Sequence, residues 1–197
     1  MRLRHSVPDW RAGLLALGVL AAPGAAHSAD LGPSGAELAH YAAHHEARVG
    51  VLYHDFMHKE TGVDLNAEYL SAWLAVGFRI PGLDTLGQLR PHIGGNVNLN
   101  GDTSQIYAGY SLTLNLTERV FIEGSFGGMA HNGKHLSATN NRLSLGCSVM
   151  FRESASLGVR IYDNWSLVAT VSHASNGGLC EPNNGLTNAG VRVGYSF

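Results

Sequence analysis

Residues 171–178 read VSHASNGG, and they follow SLVAT, a run with strand character. On a strand, residues two apart share a face. His173 and Ser175 therefore share one, with Leu167, Ala169 and Val171 below them. The other face carries Ser166, Thr170 and Ser172, broken only by Val168. A serine hydroxyl is a poor nucleophile until a base takes its proton. A histidine two residues earlier on the same face can approach it closely enough to be that base. Such a couple also needs donors for the oxyanion it creates. The NGG that follows offers Asn176 and flexible backbone N–H groups, and PNNG offers Asn183 and Asn184. The bland alternative is a polar pair at a membrane interface, solvated and idle.

The elements that must carry this pair alternate with period two. Ile106, Ala108, Tyr110, Leu112 and Leu114 alternate with Tyr107, Gly109, Ser111, Thr113 and Asn115. Val191, Val193, Tyr195 and Phe197 alternate with Arg192, Gly194 and Ser196. This is strand patterning, with a second face that is polar or small and includes a carboxylate at Glu123. Charged residues make up 14% of the chain, against ~25% in ordinary soluble domains. A membrane barrel accounts for both, apolar outward to lipid and polar inward. The pattern predicts an all-β, eight-stranded antiparallel outer-membrane β-barrel. Its strands are expected at 47–55, 64–78, 88–97, 104–115, 119–129, 143–161, 166–175 and 188–197. The sixth is overlong; it either projects beyond the membrane or bends at RES, 152–154. The terminal GYSF is similar to the C-terminal signal of such barrels.

The N-terminus sets the compartment. Arg2, Arg4 and Arg11 precede an apolar run from about Ala12 to Ala22, then PGAAHSAD. This is the pattern of a secretory signal peptide, too short to span a membrane as a helix. Cleavage is expected between Ala26 and Ala29, so residues 1–29 are assigned to the signal. Removing them from 197 leaves 168 residues with ten basic and fourteen acidic side chains, a net charge of −4. No basic patch appears, and nucleic acid is not an expected partner. Residues 30–46 are expected as an arm or short helix, with Ser34 and Glu37 at capping-box spacing, and 47–197 as the barrel. With both termini in the periplasm, strand 166–175 runs upward and His173 and Ser175 face the outer leaflet. A polar pair there is expensive unless it is used.

HASNGGL and PNNGL together resemble the His-x-Ser-Asn…Asn-x-Gly signature of the PagL-type lipid A 3-O-deacylases, acyloxyacyl hydrolase-like outer-membrane barrels. The likeness is best from LGCSVMF to GYSF; GVLYHDF and RPHIGGNVNLNGDTSQIYAGYS are also similar to broader members. The resemblance implies a serine esterase acting on lipid A or lipopolysaccharide in the outer membrane of a Gram-negative bacterium. Ser175 would be nucleophile and His173 base. Asn176, the backbone N–H of Gly178 and the side chain of Asn183 would form the oxyanion hole. The family's acid is a glutamate two residues after the Asn-x-Gly glycine, and here that position is Thr187. Threonine can accept an imidazole hydrogen bond but supplies no charge. Either another acid serves, or the enzyme is slow, or the site is vestigial. Glu181 is the nearest substitute in sequence; Asp55 or Glu68 would serve if the barrel brought them round.

Three histidine pairs, His40/His44, His54/His58 and His131/His135, have i, i+4 spacing, but only the first falls in predicted helix and no other ligands complete a site. No metal and no cofactor are expected. Cys147 and Cys180 are expected to meet at the outer rim as a disulfide pinning the loop of Asn183. Trp73, Trp165 and Tyr195 read as interfacial aromatics. A homodimer is compatible with the sequence. The competing reading is a non-catalytic structural or interaction barrel; a small pore is weaker, because eight strands leave an interior filled by side chains.

Overall fold

Alternation along the chain becomes a closed wall in the computed structural model, which describes residues 43–56, 59–80, 85–162 and 164–197. The strands are β1 (Glu46–Tyr53), β2 (Val63–Leu70), β3 (Val76–Arg79), β4 (Leu86–Asn98), β5 (Gln105–Asn115), β6 (Val120–His131), β7 (Val149–Arg160), β8 (Trp165–Ser175) and β9 (Leu186–Ser196). All pairings are antiparallel, and β1 closes the wall by pairing with both β2 and β9. β2 and β3 succeed one another along β4, so the nine segments make eight barrel strands. The interruption of the expected strand 64–78 lies opposite Arg90 and Pro91, between the pairs Leu70–His92 and Val76–Leu89. Pro91 has no N–H for the ladder, and its carbonyl accepts instead from the Ser71 N–H at 2.9 Å.

The strand ends joined by the β1–β2, β4–β5, β6–β7 and β8–β9 connections gather at one end of the barrel. Those joined by the β2–β3, β3–β4, β5–β6 and β7–β8 connections lie at the other, where the Phe197 N–H bonds the His45 carbonyl. The second group is the shorter on average, as expected of a periplasmic side. Outward rows are apolar: Val49, Val51, Leu65, Ile93, Ile106, Phe126, Leu157, Val191 and Val193 are all exposed. In water such a surface would be an aggregation hazard; in lipid it is the solvated face. At the lower rim Trp165 packs on Tyr195 with ring centroids 4.9 Å apart.

The lumen is filled. Arg48, fully buried, bonds Glu46, Glu68 and Glu123, the last at 2.6 Å. Arg192 pairs with Glu68 at 2.6 Å and Arg90 with Glu46 at 3.0 Å. This ion-pair core leaves the pore reading without support. Above it, Tyr107, Met129, Leu143, Leu145, Met150, Ala174 and Leu186 form an apolar plug. That plug corrects the expected strand 143–161, which begins only at Val149. Leu143 and Leu145 alternate as strand residues do, but they fold over the lumen mouth and bury completely. There is no bend at 152–154, which pair regularly with both neighbours.

The expected signal segment, 1–29, and residues 30–42 of the expected arm or short helix lie outside the described residues. Residues 43–45 are not helical, and Glu46 already belongs to β1, where its carboxylate is drawn to Arg48 and Arg90.

Candidate active site

His173 and Ser175 sit at the top of β8 with partial exposure, on the outward row. Ala174 between them points the other way, into the plug, opposite Leu186 of β9. A buried residue between two outward ones fixes which face the pair takes, since a one-residue slip would bury His173 and expose Ala174. His173 is the register partner of Thr187, and its Nδ1 lies 2.8 Å from Thr187 Oγ1. Thus the position expected to carry the family's acid does touch the imidazole, through a hydroxyl. Gly185 stands beside the ring with φ +70°, and a Cβ there would lie 2.8 Å from His173 Cε1. Glycine is needed twice over at this point, for the left-handed backbone and for the space.

The oxyanion candidates divide. Asn176 is buried, and its Nδ2 donates to the carbonyls of Leu145 (2.9 Å), Cys180 (3.0 Å) and Pro182 (3.2 Å). Its Oδ1 accepts the Gly178 N–H at 2.8 Å. The side chain of Asn176 and the N–H of Gly178 are therefore engaged in holding the loop. Asn183 Oδ1 accepts the Asn176 N–H at 3.1 Å, which fixes its amide orientation and leaves its exposed Nδ2 as a donor. Asn184 exchanges bonds with Ser144 in both directions, at 2.8 and 3.1 Å. Cys147 and Cys180 are joined by a disulfide. Loops 132–148 and 176–185 are thus fastened together covalently and by hydrogen bonds around Asn176.

The candidate acids are not where sequence distance suggests. Glu181 is exposed on the loop, and the Nδ1 hydrogen bond of His173 goes to Thr187 instead. Glu68 points into the lumen against Arg192 and Arg48. Asp55 is buried and accepts the N–H groups of Lys59 and Glu60. Neither can reach the outward row. A carboxylate that sequence reasoning did not weigh is Glu153 of β7, exposed on the outward row and the register partner of His173 across the β7–β8 ladder. Only strand register reveals it, for it lies twenty residues upstream in a segment read as a bend.

A second cluster braces the loops. Buried His54 sits between Asp64, 3.0 Å from Nδ1, and Glu60, 3.1 Å from Nε2. Glu60 also accepts the N–H groups of Thr103 and Leu143, each at 3.1 Å, so three loops meet on it. Burial alone would push the His54 pKa down; the hydrogen bonds and charges of Asp64 and Glu60 outweigh it and raise the pKa to about 9. Burial likewise opposes ionisation of Glu60, but His54 and the surrounding donors hold it at about 2.

Of the histidine pairs, His40, His44's partner, and His58 lie outside the described residues. His131 Nε2 bonds the Cys147 carbonyl and His135 Nε2 the Ser148 hydroxyl, at 2.7 and 2.8 Å. Among the described residues no group of three or more ligands is arranged for a metal.

A family model described as lipid A 3-O-deacylase (PagL) matches residues 62–196. Among solved structures the chain is similar to the crystal structure of the outer membrane enzyme PagL. The TM-score is 0.59 and the identity 17%, over 79% of this chain and 100% of that one. It is also similar to a de novo designed transmembrane β-barrel, with TM-score 0.48 and 14% identity over 78% of this chain and 95% of that one. The outer membrane protein Ail of Yersinia pestis gives 0.44 and 13%, over 78% and 99%. Among curated proteins, none matches the sequence.

Proposed function

The chain belongs to the PagL family of lipid A 3-O-deacylases, outer-membrane β-barrels, and on that premise we propose that it hydrolyses an ester-linked acyl chain of lipid A by Ser/His nucleophilic catalysis. The observation that carries the reading is the outward rung at the top of β8. There the imidazole that bonds Thr187 shares a face with Ser175, on the outward row beside the long loops.

In this reading Nδ1–H donates to Thr187 Oγ1, which leaves Nε2 unprotonated and able to take the Ser175 proton. Oγ of Ser175 attacks the ester carbonyl carbon, and the carbonyl oxygen becomes an oxyanion. Asn183 Nδ2 is the expected side-chain donor to it. Collapse breaks the bond to the sugar oxygen, which leaves with the proton from His173. The acyl group remains on Ser175. Water then attacks the acyl-enzyme, His173 takes its proton, and the fatty acid is released as Ser175 recovers its hydrogen. No metal or cofactor enters these steps. Every group they use comes from one chain, so the reading does not require a homodimer. Removal of residues 1–29 on export remains part of the proposal.

Mass spectrometry of lipid A from cells expressing wild type or Ser175→Ala tests it. Loss of one hydroxyacyl chain with wild type alone is expected. Unchanged lipid A with both, from folded barrels in the outer membrane, would instead favour the structural or interaction role.

A further inference from the structure

We propose that Glu153 supplies the negative charge that the family's acid position lacks, acting on His173 from the strand on its other side. This rests on the esterase reading above. β7 and β9 both flank β8, and Glu153, His173 and Thr187 form one rung across the three strands. Residues directly opposite on an antiparallel pair have Cβ atoms about 5 Å apart. Thr187 holds Nδ1 and orients the ring; the carboxylate opposite holds charge.

The placement of Glu153 is otherwise unexplained. Among the described residues it is the one carboxylate on an outward row of any strand; Glu46, Asp64, Glu68 and Glu123 all turn inward. Its row continues with Phe151, Ala155 and Leu157, and its partner on β6 is Phe126, stacked on Phe151. A charge in such apolar company is costly unless used. The same low dielectric extends its reach. The imidazolium formed when Ser175 gives up its proton would be born beside it.

No competing charge faces His173 from the packed strands. β9 offers uncharged Thr187. Arg152 and Arg192 project to the lumen, against Tyr107 and Glu68. Glu181, on the loop above, is exposed. Glu153 is on this view a positioning and charge-balancing residue; it need not touch substrate.

The test is lipid A deacylation by full-length protein refolded in detergent, with wild type, Ser175→Ala, Glu153→Gln, Glu153→Asp and the double variant Glu153→Gln/Thr187→Glu. Glu153→Gln removes a lipid-facing charge, so its barrel should fold at least as well; retained heat-modifiable gel migration checks this. The expected result is a kcat about 10- to 100-fold lower with KM little changed, and an acidic limb of the pH–rate profile displaced to lower pH. Glu153→Asp should recover part of the rate. Glu at 187 should restore it from the other side. Unchanged kcat and pH profile in Glu153→Gln, with Ser175→Ala inactive, would overturn this inference and leave the esterase reading intact. Failure of both carboxylate variants to recover activity would also overturn it, assigning the loss to shape. Wild type inactive alongside Ser175→Ala would overturn both readings.

Discussion

Thr187 Oγ1 lies 2.8 Å from His173 Nδ1, straight across the β8–β9 ladder. A hydroxyl thus fixes the ring where a carboxylate would ordinarily do so. Replacing Thr187 by the isosteric valine removes the bond and keeps the volume. Activity is expected to fall about tenfold or more, with barrel stability unchanged within ~1 kcal/mol. Steady-state kinetics with denaturant unfolding of the same preparations checks both halves.

Asn176 is a loop clamp with four side-chain hydrogen bonds. Asn176→Ala leaves three carbonyls without that donor, and each buried group so orphaned costs about 1–3 kcal/mol. The penalty should appear locally. Limited proteolysis is expected to cut within 132–148 or 176–185, while the strands stay protected and deacylation is lost. Reduction of Cys147–Cys180 should act in the same direction more mildly, because the Asn176 bonds survive it.

Arg48 is surrounded by Glu46, Glu68 and Glu123. Arg48→Met keeps an extended apolar stem but removes the cation that three buried carboxylates share, and Glu123 loses its closest partner while Glu68 and Glu46 keep Arg192 and Arg90. The expected destabilisation is roughly 3–5 kcal/mol, read as a lower urea midpoint in detergent. Removing the charges on both sides together should cost less than removing Arg48 alone.

The His54–Glu60 brace predicts a pH window for the outer loops. His54 is raised from 6.5 to about 9, so its stabilisation is complete below about pH 6.5 and lost as pH rises through about 9. Glu60 is lowered from 4.5 to about 2, so its share is complete above about pH 4.5 and lost as pH falls through about 2. Between those limits the loops should be most protected. Hydrogen exchange at Thr103 and Leu143, whose amides bond Glu60, should accelerate above pH 9 beyond the intrinsic base-catalysed rise. His54→Phe should abolish that excess.

Most of the wall was legible because lipid and lumen demand opposite side chains at alternate positions, and β5 and β9 spell that out. His173 and Ser175 were legible because they share one strand, where spacing alone decides the face. What was not legible depended on partners. Leu143 and Leu145 have a strand's alternation, yet they bury in the plug, and periodicity does not say which surface an apolar residue meets. Glu153 looked like part of a bend until register set it opposite His173. The clamp made by Asn176 was not legible, since nothing local shows that Leu145, Cys180 and Pro182 present three carbonyls to it.

The filled lumen and the outward rung together decide how such a site would meet its substrate. With ion pairs below and an apolar plug above, nothing approaches the His173–Ser175 rung from within the barrel. Encounter must be lateral, in two dimensions, along the leaflet. Turnover would then follow the mole fraction of substrate in the surface rather than its bulk concentration. Adding inert detergent at constant total lipid A should slow the reaction by surface dilution, as it would not for an enzyme with an aqueous cleft.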